Sequence, residues 1–514
     1  MKLQNTLFIT LFFISFSSQL IGQNLNKVRT FYDAEKKEIN EEYSIIGTDS
    51  SKIQGIYKKF FPSSKKLEVQ SFYSNGVQNG NHVSYYENGQ AKFKYSYKGG
   101  KINGIYTKYF RNGIPQVKCF YKNGAIEGEM IRYYEGQKVE AKVNFVAGKR
   151  EGKMTQYYED GTVMIEYEYK NDLRNGMVKS FLPTGTIIQQ GNYLNDSLSG
   201  EFTVFFEQGA IQKINTFKNG KLHGMSKEYY EPAKLSKEIS YKNGKKDGLT
   251  TSYYKNEKKK TEANYKHGIL NGKFTSYFEN GQTRMILTMK EGTKSGSFKE
   301  YSQTGKLILE GSLLKGKNHG ENIRYYEDGS VRKRTKYVDG NKVGTSTEYF
   351  KGSKVKEKTI YSNKARDRKI THYFENGKIA FEKEYKNEQF FGEWNSYSES
   401  GILSKKIVYE NGLKNGTEIV NYSSGKRQKE TPYYKGKIKG TLKEYYENGN
   451  LKSEIPYPNK GVVYGIVKLY HENGELKASG KQYMDKKIKA WKYYDNKGKH
   501  LKTDHYNKGK LVGN

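Results

Sequence analysis

Short runs of alternating apolar and polar residues recur along the chain, and turn sequences separate them. One stretch from Gly104 to Gly128 contains a run that ends in aromatic residues, an Asn-Gly turn, a second run that ends at Tyr121, and another Asn-Gly turn. Alternation with a period of two is typical of strands, and Asn-Gly between two such runs is typical of a tight hairpin. The stretch is therefore predicted to be one β-hairpin with its connection.

The same pattern returns in steps of 24 residues. The ring that ends the second run recurs at Tyr97, Tyr121, Phe145, Tyr169, Tyr193, Phe217, Tyr241, Tyr265, Tyr337, Tyr361, Tyr385, Tyr409, Tyr433 and Tyr457. The closing glycine recurs at Gly104, Gly128, Gly152, Gly176, Gly200, Gly224, Gly248, Gly272, Gly296, Gly320, Gly344, Gly392, Gly416 and Gly440. Met289 and Leu313 take the place of the ring, and Arg368 takes the place of the glycine. A fixed period of this size indicates an array in which each repeat buries its surface against its neighbours.

We therefore predict an all-β fold, an elongated single-layer antiparallel array of β-hairpins that forms a twisted, solenoid-like meander. It contains about 19 to 20 repeats. Residues 24–55 are predicted to form a degenerate N-terminal capping repeat, and residues 56–514 a continuous array with irregular C-terminal repeats. Pro432 and Pro456, each one residue before a ring, lack the N–H that a ladder needs and predict an irregular or exposed edge.

The repeat G-xxxx-YYENG-xxxxxxx-YKNGKxxG resembles the MORN-repeat family, in its bacterial variant form, over nearly all of the chain that follows the N-terminal segment. The resemblance implies a meandering antiparallel sheet with one hairpin per repeat. It also implies a scaffold or binding role, which in some members is directed at membrane lipids. Because the variant repeat is often described as the antitoxin of a toxin–antitoxin pair, a partner-neutralising role is an alternative that the resemblance implies.

The first 23 residues have the features of a secretory signal peptide. A charged start precedes an apolar stretch from Leu7 to Phe16, and small polar residues follow. The apolar stretch is shorter than the ~20 residues that a membrane-spanning helix needs. We predict cleavage near Gly22 or Gln23, no transmembrane segment in the mature chain, and export to the periplasm, the cell surface or the medium of a bacterium.

The charge balance points to an anionic partner. The chain has 90 Lys and Arg against 55 Asp and Glu, for a formal net charge of +35. Such an excess attracts polyanions, although lysines in turns also keep strand edges soluble and apart; both explanations stay open. The predicted partner is an unknown protein or an envelope polyanion, such as lipid head groups or acidic glycans. Export argues against nucleic acid.

No residue stands out from the repeat as a catalytic, cofactor-binding or metal-binding group. Cys119, the single cysteine, falls at an apolar strand position and is predicted to be buried. The histidines are dispersed; His223 and His319 share a turn position with Asn103, which favours a turn residue over a metal ligand. The carboxylates of the first turn also share one position. The sequence therefore predicts no enzyme site, no cofactor and no metal.

The leading hypothesis is a non-enzymatic, exported repeat protein that acts as an interaction scaffold or binding strip at the cell envelope. It would contact proteins, anionic polymers or lipids. One alternative is a carbohydrate-binding or carbohydrate-processing β-solenoid, since rings stack on sugars; the chain has 47 Tyr and 25 Phe but only 2 Trp. The other alternative is the antitoxin-like role.

Overall fold

The computed structural model describes residues 24–513, so the predicted signal peptide, residues 1–23, lies outside the described residues. Within them the regular structure is strand, apart from a short 3-10 turn at Asn363–Ala365. The predicted all-β hairpin array is therefore confirmed. The chain divides into two compact units, one that ends at Lys245 and one that begins at Lys246.

The strands of the first unit are mostly six to nine residues long, with two-residue strands where a second turn is followed by a bulge. They are β1 Leu25–Phe31, β2 Ile39–Ile46, β3 Gly55–Phe60, β4 Leu67–Ser74, β5 Val77–Tyr85, β6 Ala91–Lys98, β7 Lys101–Ile102, β8 Gly104–Tyr109, β9 Pro115–Lys122, β10 Ala125–Ile126, β11 Gly128–Tyr133, β12 Val139–Val146, β13 Lys149–Tyr157, β14 Val163–Lys170, β15 Leu173–Phe181, β16 Ile187–Leu194, β17 Ser197–Phe205, β18 Ile211–Lys218, β19 Lys221–Leu222, β20 Gly224–Tyr230 and β21 Lys234–Lys242.

The strands of the second unit follow the same plan; its first strand also includes Lys245, the last residue of the first unit. They are β22 Lys245–Tyr253, β23 Lys259–Lys266, β24 Ile269–Tyr277, β25 Thr283–Lys290, β26 Thr293–Tyr301, β27 Leu307–Leu314, β28 Lys317–Asn318, β29 Gly320–Tyr325, β30 Val331–Val338, β31 Asn341–Tyr349, β32 Val355–Ser362, β33 Asp367–Tyr373, β34 Ile379–Lys386, β35 Gln389–Tyr397, β36 Leu403–Glu410, β37 Leu413–Lys414, β38 Gly416–Asn421, β39 Arg427–Tyr434, β40 Lys437–Ile438, β41 Gly440–Tyr445, β42 Leu451–Tyr457, β43 Tyr464–Tyr470, β44 Leu476–Tyr483, β45 Lys486–Tyr494, β46 His500–Asn507 and β47 Lys510–Gly513.

In each unit, the strands pair antiparallel with their neighbours in the chain. Consecutive turns of such a meander lie on opposite long edges of the sheet. We call these edges the first-turn edge, which holds turns such as residues 86–90, and the second-turn edge, which holds turns such as residues 122–127. Each repeat therefore contributes one turn to each edge.

Every ring of the period except Tyr385, which lies across from Arg368, lies directly across from a closing glycine of the neighbouring strand, and all of these rings are half-buried. The cross-strand partners are Gly104 with Tyr121, Gly128 with Phe145, Gly152 with Tyr169, Gly176 with Tyr193, Gly200 with Phe217, Gly224 with Tyr241, Gly248 with Tyr265, Gly320 with Tyr337, Gly344 with Tyr361, Gly392 with Tyr409, Gly416 with Tyr433 and Gly440 with Tyr457. Tyr97 lies across from Gly80, and Gly272 and Gly296 face Met289 and Leu313. The two periodic positions thus form one cross-strand pair.

The exception at Arg368 has a backbone cause. The closing glycines have positive φ, for example +126° at Gly176, because a bulge follows the second turn in those repeats. In the repeat of Arg368, the 3-10 turn at Asn363–Ala365 replaces that arrangement, and β32 and β33 pair without a register shift. A glycine is therefore not needed, and the guanidinium of Arg368 lies over the Tyr385 ring at 4.0 Å.

The prolines before two of the rings fall at a bulge. Pro432 lies across from Thr417, and the pairing of β39 with its next neighbours skips this residue. Its carbonyl oxygen still accepts a hydrogen bond from the N–H of Lys439, at 3.0 Å. A bulge leaves one N–H outside the ladder, so proline is tolerated. The irregularity predicted from Pro432 is confirmed.

A tyrosine at the second position of the aromatic pair links successive repeats through its hydroxyl. Strand β29 ends at Tyr325, and the hydroxyl of Tyr326, the next residue, donates to the carbonyl oxygen of Tyr349 in the next repeat at 2.7 Å. The same bond is made by Tyr86, Tyr134, Tyr158, Tyr254, Tyr422 and Tyr446. Sequence alternation predicts one ring of the pair on each face of the strand, but it does not predict this link.

We expect Tyr326→Phe to lower the free energy of unfolding of this region by about 0.5–1.5 kcal/mol, the net value of one hydrogen bond. Hydrogen exchange of residues 320–350 measures the change. Phe350 occupies the same repeat position naturally, so Phe350→Tyr is the matched reverse variant and should not destabilise. Equal exchange in wild type and Tyr326→Phe would mean that the hydroxyl contributes nothing.

The largest fully buried side chain, that of Trp491, lies near the C-terminal end of the second unit. It packs with Val463, Val467 and Ala478. Its indole N–H donates to the carbonyl oxygen of Lys481 at 2.9 Å. Four residues of this cluster are buried, whereas the periodic rings of the regular repeats are only half-buried.

Candidate functional site

The second-turn edge is built by tight turns that are bonded to one another. In the turn that follows Tyr121, Asn123 and Gly124 have φ of 51° and 87°, the positive values that an Asn-Gly hairpin turn requires. The N–H of Gly124 donates to the carbonyl oxygen of Ile102, in the preceding second turn, at 2.8 Å. Two strands separate successive turns, so their side chains recur about every 10 Å along the edge.

The acidic residues of this edge that directly precede the closing glycine position are occupied by the backbone, whereas others, such as Glu291 and Glu388, are exposed. The residue before the closing glycine accepts the N–H of a turn residue 20 positions later. Examples are Glu127 with Ala147 at 2.8 Å and Glu151 with Asn171 at 2.8 Å. In the second unit, Asp367 accepts from Asn387 at 2.7 Å. The repeat position that His223 and His319 share with Asn103 is therefore a turn-capping position.

Two arginines of this edge are also occupied. The guanidinium of Arg150 lies 3.2 Å from Asp172 and 4.3 Å from the centre of the Tyr169 ring. Hydrogen bonds from the backbone N–H and the side chain of Arg150 hold the pKa of Asp172 below its ordinary value. Arg174 repeats this geometry, 2.9 Å from Asp196 and 4.1 Å from the Tyr193 ring. These arginines cover rings and bind turns, so they serve the fold.

Most lysines of the second-turn edge, by contrast, are exposed to solvent; Lys246, Lys342 and Lys414 are half-buried and lie over rings, as the two arginines do. In the first unit the exposed lysines include Lys98, Lys101, Lys122, Lys149, Lys170, Lys218, Lys221 and Lys242, and in the second unit Lys266, Lys290, Lys294, Lys315, Lys317, Lys386, Lys435 and Lys437. We call this set the basic edge. It presents ammonium groups repeatedly at a spacing set by the strands.

The first-turn edge has the opposite character. It carries exposed carboxylates at Glu87, Glu135, Glu159, Glu207, Glu231, Glu279, Glu327, Glu375 and Glu447. Lysines occur there as well, such as Lys258 and Lys378, and their ammonium groups donate to carbonyl oxygens of the next turn at 2.7 Å. The positive charge of the chain is thus concentrated along one edge in each unit. Summing charge by repeat position would have revealed this segregation from the sequence.

The residues considered for catalysis or metal binding, Cys119, His223 and His319, occupy positions that build the repeat. Cys119 is buried, and burial raises the pKa of its thiol to about 11. The backbone N–H of His223 donates to the carbonyl oxygen of Thr216, and that of His319 to Ser312. Within residues 24–513, no three His, Cys, Asp or Glu side chains are grouped closely enough to hold a metal ion. A helix apolar and long enough to span a membrane is not found in the same range.

Comparison with solved structures gives remote likeness only. The crystal structures of TcdB2-TccC3-Cdc42 and of TcdB2-TccC3 match 90% and 94% of this chain at 10% and 11% identity, with a TM-score of 0.13 in both cases. The Photorhabdus luminescens Tc holotoxin pore matches 91% at 10% identity, with a TM-score of 0.13. The chain spans 28%, 31% and 27% of the length of those chains. At these scores the likeness carries no argument.

A search of curated proteins finds no significant match. The model of the family described as "MORN repeat variant" does match, at residues 102–123, 150–171, 246–267, 270–291, 318–339, 369–387, 438–459 and 464–484. The first of these matches covers the strand-turn-strand segment of Tyr121, and repeats between the matches keep the same pairing of ring and glycine. The chain is therefore a MORN-repeat protein, built from the variant form of the repeat.

Proposed function

We propose that this protein is an exported, non-enzymatic scaffold of the bacterial cell envelope whose basic edge binds anionic polymers or lipid head groups. The observation that carries the proposal is the segregation of charge. On the second-turn edge the acidic residues before the closing position cap turns and Arg150 and Arg174 cover rings, whereas most lysines remain exposed and outnumber the exposed carboxylates. A purely solubilising role would not require the two edges to differ.

The spacing of the basic edge suits a long anionic partner. One exposed ion pair contributes only about 0.2–1 kcal/mol, so a single lysine would not hold a ligand. When many lysines recur about every 10 Å along an edge, a polymer or a lipid surface can engage several of them together. Linked contacts of this kind raise the apparent affinity without any single strong site.

We expect Lys266→Gln, Lys290→Gln and Lys317→Gln, combined in one variant, to weaken binding to anionic vesicles or an acidic polysaccharide about tenfold, since each lost charge contributes some tenths of a kcal/mol. Vesicle cosedimentation at low salt and at about 0.5 M salt, where screening lengths fall to a few ångströms, measures this. The matched control replaces three exposed lysines of the first-turn edge, Lys306, Lys351 and Lys426, by glutamine and removes the same charge.

The control should bind within about twofold of wild type, a difference no larger than one exposed ion pair can produce. Equal losses in the two variants would show that only net charge matters and would overturn the assignment to the basic edge. Binding that is unaffected by salt would also contradict the proposal.

Export is tested separately by locating the chain in cell fractions. A defined catalytic activity of the purified protein would contradict the non-enzymatic part of the proposal.

A further inference from the structure

A hollow of about 400 Å³ interrupts the ring-bearing face of the second unit, between β25 and β31. It lies where the periodic ring is missing, because Met289 and Leu313 stand at two consecutive ring positions. Met289 faces Gly272 and Leu313 faces Gly296, as the rings do elsewhere. A leucine fills less of the space above its glycine than a tyrosine would, and a volume of this size is typical of small-molecule sites.

A second deviation from the repeat, at Asn322, also lines the hollow. Gly311 and Gly191 occupy the same repeat position, but in the first unit the Phe202 ring covers Gly191, where an added Cβ would lie 2.4 Å from that ring. In the second unit Asn322 stands in the place of Phe202. An added Cβ on Gly311 would lie 2.1 Å from the Oδ1 atom of Asn322. Gly311 is thus covered by its neighbour, as Gly191 is; the asparagine, which is smaller than the phenylalanine, lines the hollow beside the missing ring.

Asn322 lowers stability at a position that would otherwise serve only to build the repeat. Its side-chain N–H donates to the Oδ1 atom of Asn318 at 3.1 Å. Its own Oδ1 atom is buried and has no hydrogen-bond partner among the described residues. An unpaired buried polar atom costs stability, and such departures from the local rules of a fold are expected at functional sites.

The hollow is strongly cationic. Lys294, Arg324, Lys333 and Lys342 line it, against one carboxylate, that of Glu300. Lys333 is held by Glu348 at 2.8 Å; burial lowers the pKa of Lys333, but that partner outweighs it and raises the pKa above the ordinary value.

Arg324 stands directly across from Leu309 on one side and Lys333 on the other. Within residues 24–513 it has no carboxylate within ion-pairing distance. Its five N–H donors are therefore free for a planar or tetrahedral anion. Arginine binds carboxylate and phosphate through paired hydrogen bonds, so Arg324 is the group that would fix the position of a bound anion.

The rest of the lining is apolar or amide. Leu287 and Phe298 are buried beneath the hollow, and the Tyr337 ring forms part of its wall. An apolar floor, an aromatic wall and amide groups are the surroundings that fit the two faces and the hydroxyls of a sugar ring. We propose that this hollow binds a monosaccharide unit that carries a carboxylate or a phosphate, with Arg324 on the anionic group and Asn318 and Asn322 on the hydroxyls.

This site goes beyond the proposed function, because it is a hollow on a sheet face that shares only Lys294 with the basic edge, which is a row of turns. Experiments can contradict the proposal for the basic edge and the proposal for the hollow independently. The basic edge predicts affinity for long polyanions that is lost at high salt. The hollow predicts saturable, one-to-one binding of a small anionic sugar that persists at salt concentrations where weak surface contacts are screened.

The test is calorimetric titration of the full-length chain at 0.15–0.5 M salt with galacturonate and with glucose 6-phosphate; glucose serves as the uncharged control. We expect at least one of the two anions to bind one-to-one and glucose to bind at least tenfold more weakly. Leu313→Tyr restores the ring that most repeats carry, so it should fold and should lose at least tenfold in affinity. Arg324→Gln should lose a similar factor.

The matched control is Arg334→Gln, which changes an arginine of the same repeat that pairs with Glu321 at 3.0 Å and does not line the hollow. It should bind like wild type. Vesicle cosedimentation should be unchanged in Leu313→Tyr, which separates this site from the basic edge. The proposal is overturned if neither anion binds, if glucose binds equally well, or if Leu313→Tyr binds with wild-type affinity.

Discussion

Trp491→Ala should cost about 3–5 kcal/mol in the free energy of unfolding of the C-terminal repeats, the value for truncating a large buried aromatic side chain. Trp491 is 1% exposed and is packed directly on Gly480, where an added Cβ would lie 2.3 Å from the indole. Because Gly480 has no side chain that could move into the space, the cavity should stay open. The carbonyl oxygen of Lys481 also loses its donor.

Hydrogen exchange measures this effect locally. Each repeat contacts mainly its neighbours, so amides in residues 464–507 should exchange on the order of 10²- to 10⁴-fold faster, while amides in the first unit keep their rates. Trp394→Ala is the comparison, since Trp394 is only half-buried and stacks on Phe390 at 5.3 Å; its effect should be smaller. A uniform increase along the whole chain would refute local stabilisation by the cluster.

The repeat could be predicted from the sequence because each of its signals has a local cause. The 24-residue step follows from two strands and two turns, and the Asn-Gly turns adopt the positive φ that their residues allow. The pairing of ring and glycine was not predicted as a contact. The sequence spaces Gly104 and Tyr121 by 17 residues, but only the register of the hairpin places them face to face.

The candidate sites were harder to predict, because they depend on residues that depart from the repeat or that are not used in building it. The basic edge requires knowing that the second turns all lie on one edge and that residues such as Glu127 are occupied by the backbone. The hollow requires two deviations, at Leu313 and Asn322, to lie on one face of neighbouring strands. Taken singly, each is an ordinary departure from a repeat.

Gly176→Ala tests whether the closing glycine is required by its backbone. At φ of +126° an L residue is strained, and an added Cβ would lie 2.9 Å from the Cβ atom of Glu168. Strained backbone of this kind costs about 1–3 kcal/mol, and the crowding adds to it. We expect faster hydrogen exchange in residues 163–194, which hold Gly176 and its partner Tyr193.

The controls for Gly176→Ala separate backbone strain from loss of contacts. Met177→Ala changes the next residue, whose side chain is 47% exposed, and should change stability by less than about 0.5 kcal/mol. Arg368→Ala places an alanine at the equivalent repeat position where φ is not positive, so it should lose only the contact with Tyr385, about 0.5–1 kcal/mol. If Gly176→Ala were as mild as Met177→Ala, the glycine period would reflect room for the ring alone. A large loss at Gly176 with a small one at Arg368 would show that the bulge after the second turn imposes the glycine.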